Sequence, residues 1–316
     1  MSIHKVEVVP IVLEAHPNAD SLSIVRVYGY TVCVRTADWR ERAMGAYIPP
    51  DSVVDTSRPE FAFLGEHSRV RVKKLRGVVS MGLLVPAPEG AQLGDDVMER
   101  LGVTHWEPVV QTRSGDATHP PTCYAPTYDM ENARRYASAF IDGEPVIVTE
   151  KIHGANGRFV FHDGVMHCGS RTEWKLDQPD VLWWNALRAC PWLEGFCRAN
   201  PGIVVYGEVY GRVQSLRYGL EGRVSVLVFD LLRGTEWLPA MEARALGLLL
   251  SWVPTIAVRE WSWPAIAELA EGKSLLLGAD HIREGVVVKP LTERHHDTIG
   301  RVQLKVIGNG YLECAS

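Results

Sequence analysis

A polar, proline-containing segment divides this chain into two parts with different sequence patterns. Residues 111–121 contain almost no apolar side chains, so they cannot contribute to a hydrophobic core. A chain of 316 residues is also long enough for two domains. We therefore predict a first domain over 1–110, a linker over 111–123 and a second domain over 124–316.

The first part contains short apolar segments that are separated at close intervals by Gly, Pro and Asp. Such spacing is typical of a small β-barrel. We predict strands over 24–27, 31–34, 46–48, 70–73 and 82–85.

The second part mixes helical and strand patterns, so we predict an α+β domain with mainly antiparallel pairing. Asp163-Gly164 between two apolar runs is a strong hairpin signal. We expect Asp129 to cap the first helix and Pro191 to kink or split the second. The predicted helices span 129–140, 181–198 and 240–252, and the predicted strands span 146–150, 158–162, 165–170, 203–209, 225–231, 285–289 and 301–306.

Composition predicts an ordinary soluble protein without a global basic field. Hydrophobic residues make up 46% and the net charge is −5. A local basic patch is still present between Arg69 and Arg76, where alternation would set Arg69, Arg71 and Lys73 on one strand face. This segment would suit nucleic-acid phosphates or a solvated edge strand equally well.

Several features predict a cytoplasmic protein with no membrane partner. The N-terminus lacks an apolar signal region, and the longest apolar stretch is interrupted by Ser251 and Pro254. The six cysteines form no C-x-x-C pair, so we expect reduced thiols and no zinc site.

The segment Glu150–Asn156 places Lys151 at the end of a predicted strand, close to the turn-forming Gly154. A lysine that is desolvated in a pocket and crowded by cations has a lowered pKa, and its amine becomes a nucleophile. Covalent nucleotidyl transfer requires such an amine. The segment alone also fits a solvated lysine before a tight turn.

Further charged or aromatic residues follow Lys151 on predicted strands. Taken singly, Phe229 fits a core position, Glu208 an exposed strand position, and Lys289 a strand end before Pro290. The order of the segments favours a functional set, because independent structural positions would not fall into this order. The segments are Ser170-Arg171-Thr172, Tyr206-Gly207-Glu208, Val228-Phe229-Asp230, Glu284-Gly285-Val286-Val287-Val288-Lys289 and Gln303-Leu304-Lys305.

In this order the segments resemble the nucleotidyltransferase motifs of the covalent ligase and capping-enzyme superfamily. Lys151-Ile152-His153-Gly154 with Asn156 is most similar to the nick-sealing branch of phage-type RNA ligases, where His replaces the Asp of DNA ligases. The segment His16–Leu22 resembles the opening of a tRNA-binding OB-fold module. Together the two parts resemble the Deinococcus-type RNA ligases.

The resemblance implies an N-terminal OB-like β-barrel followed by a mainly antiparallel α+β nucleotidyltransferase domain, which is ATP-grasp-like. It implies an ATP-dependent RNA ligase that seals 3′-OH/5′-phosphate nicks in RNA-containing duplexes through lysyl-AMP and adenylylated nucleic acid. The expected cofactors are ATP and Mg²⁺ or Mn²⁺. The expected partner is a nicked duplex with RNA on the 3′-OH side, and we expect a monomer.

The resemblance also implies roles for individual residues. Lys151 would attack the α-phosphate, Lys305 would hold that phosphate, and Phe229 would stack on adenine. Glu284 and Glu208 are the candidates for the metal, since Mg²⁺ prefers carboxylate oxygen. The predicted catalytic set is Lys151, Glu208, Glu284 and Lys305, and the predicted nucleotide-binding set is Glu150, His153, Gly154, Asn156, Arg171, Phe229 and Lys289.

Two features depart from a simple match. The family commonly carries Lys-x-Lys in the last motif, but Gln303 and Ile307 flank Lys305 here. Strand alternation also places Glu284 and Lys289 on opposite faces, unless Gly285 disrupts the alternation.

Alternative functions are a DNA ligase, a capping guanylyltransferase, or a non-catalytic tRNA- or single-strand-binding OB protein. His153 and the lack of a recognisable C-terminal OB domain count against the first two. The set Lys151, Glu284 and Lys305 counts against the third, because binding alone needs no buried nucleophile.

Overall fold

The computed structural model describes residues 3–106 and 115–315, so positions 111–114 of the predicted linker lie outside the described residues. The described chain forms two compact units. The N-terminal unit contains 3–106, 133–135 and 312–315, and the C-terminal unit contains 115–132 and 136–311. The domain boundaries at 110 and 124 stay a prediction.

The N-terminal unit is built from short antiparallel strands. Its sheets have the orders β1-β5-β9, β2-β3-β4, β7-β8 and β10-β6. The strands enclose two clusters of buried valine, leucine and aromatic side chains. Its elements are β1 (Glu7–Pro10), β2 (Glu14–Ala15), β3 (Leu22–Val27), β4 (Tyr30–Arg35), α1 (Thr36–Trp39), β5 (Met44–Ile48), β6 (Ser52–Val53), β7 (Lys73–Leu75), β8 (Val78–Ser80), β9 (Leu83–Pro86) and β10 (Thr104–His105).

The strand predicted over 70–73 is wrong, because β7 begins only at Lys73. Val70 and Val72 are buried while Arg71 and Lys73 are exposed, so the alternation in the sequence is present. The backbone of Val70 forms hydrogen bonds with residues 51 and 52. These bonds do not extend into a ladder, so 70–72 are not part of a regular strand. Extended backbone gives the same alternation whether or not a neighbouring strand pairs with it.

The C-terminal unit contains two larger sheets. The seven-stranded sheet has the order β11-β16-β15-β14-β17-β18-β19, and the five-stranded sheet has the order β12-β24-β21-β13-β20. Only β12 and β24 pair in parallel among these described strands, so the predicted antiparallel α+β pattern is confirmed. The remaining elements are β11 (Ala117–Thr118), β12 (Glu131–Asn132), α2 (Ala133–Tyr136), β13 (Pro145–Lys151), β14 (Ala155–His162), β15 (Val165–Gly169), β16 (Trp174–Lys175), α3 (Leu182–Ala189), α4 (Pro191–Ala199), β17 (Ile203–Gly211), β18 (Val224–Arg233), β19 (Glu236–Trp237), α5 (Ala240–Leu246), β20 (Thr255–Glu260), α6 (Trp263–Leu269), β21 (Gly285–Pro290), β22 (His295–His296), β23 (Gly300–Arg301), β24 (Leu304–Ile307) and α7 (Asn309–Ala315).

The helix predicted over 129–140 is wrong over its first turn. Residues 131–132 pair with Leu304 and Lys305 as strand β12, and α2 extends only from Ala133 to Tyr136. Asp129 does not cap a helix; its carboxylate accepts a hydrogen bond from Arg171. Sheet pairing in the folded chain therefore outweighs the local helical preference of this segment.

Two other helix predictions were tested by the structure. The segment 181–198 forms two helices divided at Pro191, as predicted, because proline fits the first turn of α4 but not a helix interior. The helix predicted over 240–252 ends at Leu246, since Gly247 follows it and Trp252 instead bridges to Val228 of β18.

The hairpin predicted at Asp163-Gly164 is confirmed. Both residues have positive φ, 49° and 78°, which matches the twist of the flanking strands β14 and β15.

Helices α3 and α4 cover one face of the seven-stranded sheet and bury Phe159 in its main core cluster. No helix among the described residues is long and apolar enough to cross a bilayer.

We expect Phe159→Ala to lower the free energy of unfolding by about 3–5 kcal/mol, because the ring is fully buried and its loss leaves a cavity. Val165→Ala in the same hairpin is the control; Val165 is 55% exposed and should cost less than about 1 kcal/mol. Urea unfolding of both variants measures the difference. Equal losses would show that the ring does not carry the core contacts described here.

Candidate active site

The chain crosses from one sheet to the other at the predicted nucleophile. Lys151 is the last residue of β13 and lies opposite Gly285 of β21 in the five-stranded sheet. Residues 152–154 then lead into β14 of the seven-stranded sheet, where Asn156 lies opposite Glu208 of β17. This crossing brings residues that are distant in sequence to one place.

Two glycines beside the crossing permit close backbone approaches, one within each sheet. A Cβ atom on Gly154 would lie 2.2 Å from the Val209 carbonyl oxygen, and one on Gly285 would lie 2.0 Å from the Val306 carbonyl oxygen. The Gly154 N–H also donates to Glu208 Oε1 at 3.1 Å. Any larger residue at either position would separate the strands that carry the site.

Lys151 forms an ion pair inside this site. Its Nζ lies 2.8 Å from Glu284 Oε1. Burial lowers the pKa of Lys151, but the Glu284 and Glu208 carboxylates outweigh burial and raise it above its ordinary value. The lowered pKa expected from the sequence is therefore wrong for the protein without nucleotide, because acids rather than cations face the amine.

The two carboxylates differ in their protonation. Burial would raise the pKa of Glu284, but Lys151 and His153 hold it at about 2. Burial raises the pKa of Glu208 to about 8, a shift that Lys151 opposes and Glu284 reinforces. Near neutral pH one carboxylate of the pair is thus ionised and the other retains a proton.

Lys305 is the cation of this site that carries no protein partner. Within the described part of the chain it forms no hydrogen bond or ion pair. Burial and the neighbouring Lys151 lower its pKa. The combination of a partly buried ammonium and no bound acid fits a group that binds an anion from outside the protein.

Several buried oxygens at the site have no hydrogen-bond donor. They belong to Asn156 (Oδ1), Glu284 (Oε2) and Glu150 (Oε1). Glu150 is 1% exposed, and its other oxygen accepts the Leu275 N–H at 2.7 Å. Unsatisfied buried oxygens are costly, so a bound ligand would recover free energy at these positions.

The oxygen donors fit the hard divalent cation that the resemblance implies. Glu284 Oε2 accepts no well-formed hydrogen bond, although His153 Nδ1 lies 3.3 Å away. Glu284 and Glu208 are close enough for each to influence the pKa of the other. Among the described residues no three His, Cys, Asp or Glu side chains form a metal cluster. A cation here would take its remaining ligands from phosphate and water, as Mg²⁺ commonly does.

His153 is surrounded by residues that sequence patterns did not single out. The backbone N–H of His153 donates to the Tyr218 hydroxyl at 2.7 Å, and the ring Nε2 lies 3.3 Å from Ser215 Oγ. The Tyr311 ring packs edge-on against the imidazole at 5.6 Å. Neither tyrosine has a spacing that sequence analysis could recognise, because both reach His153 only through the fold.

Lys289 and Phe229 lie in a second, more deeply buried group. Lys289 Nζ donates to Asp230 Oδ2 at 2.6 Å and to the Phe229 carbonyl at 2.8 Å. The Phe229 ring, which is only partly buried, lies 4.6 Å from the Tyr128 ring. Glu284 and Lys289 therefore have separate partners, which agrees with the opposite faces that strand alternation predicts.

Gln303 belongs to the same buried group and accounts for the absence of a second lysine in the last motif. Its Oε1 accepts from the Tyr128 hydroxyl at 2.6 Å and from Arg301 at 3.2 Å, and its Nε2 donates to the Asp129 carbonyl. Arg301 and Lys289 already share Asp230. A third cation would have no counter-charge at this position.

Arg171 is connected to this buried group through Asp129, whose carbonyl accepts a hydrogen bond from Gln303. It is partly exposed, and its guanidinium pairs with Asp129 at 3.2 Å. A guanidinium with exposed donors can still bind a phosphate.

We expect Gln303→Lys to lower the free energy of unfolding by roughly 3–5 kcal/mol, because it buries an unpaired charge beside two cations. Gln303→Met is the matched control, which removes the hydrogen bonds without adding charge and should cost about 1–3 kcal/mol. Chemical denaturation compares them. A Lys variant as stable as the Met variant would contradict this account of the missing lysine.

The raised pKa of Glu208 makes stability depend on pH. The native pKa of about 8 exceeds the ordinary 4.5, so this contribution is complete below pH 4.5 and is lost as pH rises through 8. In urea unfolding at several pH values with EDTA and without nucleotide, Glu208→Gln should flatten the decline between these limits. Parallel pH profiles for wild type and variant would contradict the assignment.

Comparisons with known proteins agree with this architecture. A family model described as RNA ligase matches residues 144–307, and an OB-fold domain model matches residues 1–87. No curated protein gives a significant match to the sequence.

Solved structures of the Naegleria gruberi RNA ligase are similar over nearly the whole chain. A lysine-to-alanine mutant with ATP and Mn has a TM-score of 0.82 at 24% identity, covering 97% of each chain. A glutamate-to-alanine mutant with ATP and Mn has a TM-score of 0.83 at 23% identity over 98% of each chain. The form with PPi has a TM-score of 0.80 at 24% identity over 98% of each chain.

These likenesses confirm the predicted fold class, an OB fold followed by a ligase nucleotidyltransferase fold. The family match covers more than half of the chain and includes Lys151, Glu208, Glu284 and Lys305. The chain belongs to the RNA ligase family.

Proposed function

We propose that this protein is an ATP-dependent RNA ligase that seals 3′-OH/5′-phosphate nicks in RNA-containing duplexes through a lysyl-AMP intermediate. The observation that carries the proposal is the contact of Lys151 Nζ with Glu284 at 2.8 Å, in a site that also holds Glu208 and Lys305, which has no partner among the described residues. A buried amine between carboxylates and a free cation suits nucleophilic attack at phosphorus.

ATP is the proposed nucleotide. Structures of the Naegleria gruberi RNA ligase contain ATP and Mn, AMP and Mn, or PPi. The buried oxygens of Asn156 and Glu150 here are acceptors without donors, which suits a ligand that brings hydroxyl or amine hydrogens. The partly buried Phe229 ring offers a face on which adenine would stack, a contact worth about 1–3 kcal/mol in nucleic-acid binders.

In the first step the Lys151 amine attacks the α-phosphorus of ATP. The N–P bond forms, the bond to the bridging oxygen of the β-phosphate breaks, and pyrophosphate leaves with the electron pair. Lys305 would hold the α-phosphate oxygens as charge develops on them. Positioning and charge neutralisation supply most of the catalysis in such displacements.

Lys151 must lose a proton before it attacks. Glu284 and Glu208 hold that proton in the free protein by raising the pKa of the amine. A divalent cation bound at Glu284 and Glu208 would supply the positive charge that releases these carboxylates from the ammonium. Lys151 and Lys305 are also close enough to interact electrostatically, and a neighbouring cation lowers the pKa of an amine.

The second and third steps transfer and then release AMP. A 5′-phosphate oxygen at the nick attacks the adenylate phosphorus, and the N–P bond to Lys151 breaks. The 3′-hydroxyl then attacks the activated 5′-phosphate, forming the phosphodiester and expelling AMP. His153 and Arg171 are the proposed contacts to the nick, through an imidazole near Glu284 and a partly exposed guanidinium.

We also propose that the N-terminal unit, over about 1–110, binds nucleic acid. Of its predicted basic track, Arg69 pairs with Asp51 at 2.6 Å and stacks on Trp106, and Lys74 pairs with Glu313. The proposed phosphate-binding residues are therefore Arg71, Lys73 and Arg76, which are exposed and form no ion pair with the described residues. RNA on the 3′-OH side, a monomeric state and a cytoplasmic location belong to the same proposal.

We expect Lys151→Ala to abolish covalent labelling by α-labelled ATP and Mg²⁺ while nick binding stays within about twofold of wild type, because the change removes only the nucleophile. Denaturing electrophoresis and peptide mapping detect the adduct. Lys5→Ala, at an exposed lysine of the N-terminal unit, is the control and should label normally.

Four other outcomes would contradict the assignment of Lys151 or favour an alternative function. Label retained in Lys151→Ala would contradict the assignment of the nucleophile. Labelling of wild type by GTP but not ATP would favour a capping guanylyltransferase. Sealing of nicks without RNA at the 3′-OH would favour a DNA ligase, and no label with either nucleotide would favour a non-catalytic binding protein.

A further inference from the structure

A loop beside the candidate active site has no role in the function proposed so far. Residues 212–223 connect β17, which carries Glu208, to β18. Two loop residues contact His153: Tyr218 through its hydroxyl at 2.7 Å and Ser215 through its Oγ at 3.3 Å. We call this segment the 212–223 loop. It lies against a residue only two positions after Lys151.

Backbone contacts hold the base of the loop together. The Arg212 N–H donates to the Arg223 carbonyl at 3.0 Å. Gly211 has a φ of 101°, and a Cβ atom there would lie 2.3 Å from the same carbonyl oxygen. Only glycine accepts this conformation and this close approach.

Buried contacts hold the far end of the loop. Tyr218 is 2% exposed and belongs to the same apolar cluster as Ile152 and Leu227. A Cβ atom on Gly219 would lie 2.5 Å from the Gly278 carbonyl oxygen, so a second loop packs tightly against this end. The loop is therefore anchored at both ends, and its exposed side chains start from defined positions.

The exposed side chains of the loop are strongly basic. Arg212, Arg217 and Arg223 are exposed, and none of them forms an ion pair within residues 3–106 and 115–315. Among the described residues the Arg223 side chain makes one hydrogen bond, from Nε to the Leu220 carbonyl at 3.3 Å. Glu221 is the single acid in the loop.

This pattern differs from that of most other exposed arginines of the same unit, although Arg259 is also exposed and forms no ion pair with the described residues. Arg188, Arg198 and Arg233 are also exposed, but each pairs with an acid: Asp177, Glu194 and Glu242, respectively. The whole chain carries a net charge of −5. Three exposed guanidinium groups without acids, on the loop that contacts His153, therefore form a local positive surface on an acidic protein.

We propose that the 212–223 loop binds the phosphate backbone of the nicked duplex next to the break, through Arg212, Arg217 and Arg223. The inference rests on the proposed function and names the element that holds its nucleic-acid substrate. Guanidinium groups match phosphate oxygens in a bidentate geometry. Tyr218 and Ser215 tie the loop to His153, so a strand bound to the loop would have its broken end near Lys151.

The test is a variant with Arg212→Gln, Arg217→Gln and Arg223→Gln. The probe is a fluorescent duplex with one 5′-phosphorylated nick and RNA on the 3′-OH strand, and anisotropy gives Kd over a range of salt concentrations. Loss of three phosphate contacts should reduce the slope of log K against log salt by about one per arginine. Affinity at ~0.1 M salt should fall roughly 10- to 100-fold.

The matched control replaces Arg188, Arg198 and Arg233 with Gln, which changes the net charge equally at exposed sites on α3, α4 and the end of β18. Its Kd and salt slope should stay near those of wild type. Glu221→Gln removes the one acid of the loop and should tighten binding slightly. The same binding loss in both triple variants would overturn the inference, and so would unchanged binding in the loop variant.

Self-adenylation with ATP alone separates the two proposals. The loop variant should adenylate Lys151 within about twofold of wild type, because no loop arginine contacts Lys151, Glu284 or Glu208, and this also verifies folding. Wild type that fails to adenylate would contradict the proposed function, while the binding comparison would still test the loop. Normal adenylation with unchanged nick binding would contradict the loop inference alone.

Discussion

The contact between Lys151 and Glu284 is the constraint around which the C-terminal unit is arranged. It requires that the end of β13 and the start of β21 meet in one sheet, and that Glu208 approach from the other sheet. Carboxylates raise the pKa of the amine, and the burial that accompanies them makes each charge costly without a partner. The carboxylates thus favour the protonated form of Lys151, the proposed nucleophile.

Glycine is what lets neighbouring strands within each sheet come this close beside the site. Gly154 and Gly285 sit where a Cβ atom would overlap the carbonyl oxygens of Val209 and Val306. Both glycines neighbour site residues, so the fold places its tightest backbone contacts beside its chemistry. A site built at strand ends in this way is held more rigidly than one carried on free loops.

A second buried group, centred on Asp230, supports the Lys151–Glu284 site without adding an unpaired charge to it. Asp230 receives hydrogen bonds from Lys289 and Arg301, and these cations outweigh burial, which would raise its pKa, so that the pKa lies at about 2. This group joins β18, β21 and β23 and fixes the backbone of Phe229 through Lys289. Its cations are fully engaged, which leaves Lys305 as the motif lysine available to a ligand.

Sequence patterns alone determined the elements with strong local signals: the Asp163-Gly164 hairpin, the helix break at Pro191, and the placement of Lys151 at a strand end. These follow from properties of single residues, namely positive φ, fixed φ and alternation. The order of the motif residues also indicated the family, because that order is a property of the chain itself.

Only the tertiary structure decided which charges face one another. The sequence led us to expect a lowered pKa for Lys151, whereas the fold sets this residue against Glu284 and Glu208, which raise its pKa. In the folded chain residues 131–132 form a strand and Gln303 has hydrogen-bond partners. Tyr218 of the 212–223 loop also lies within hydrogen-bond distance of His153. Electrostatic energies depend on distance and burial, and neither quantity can be obtained from positions along a chain.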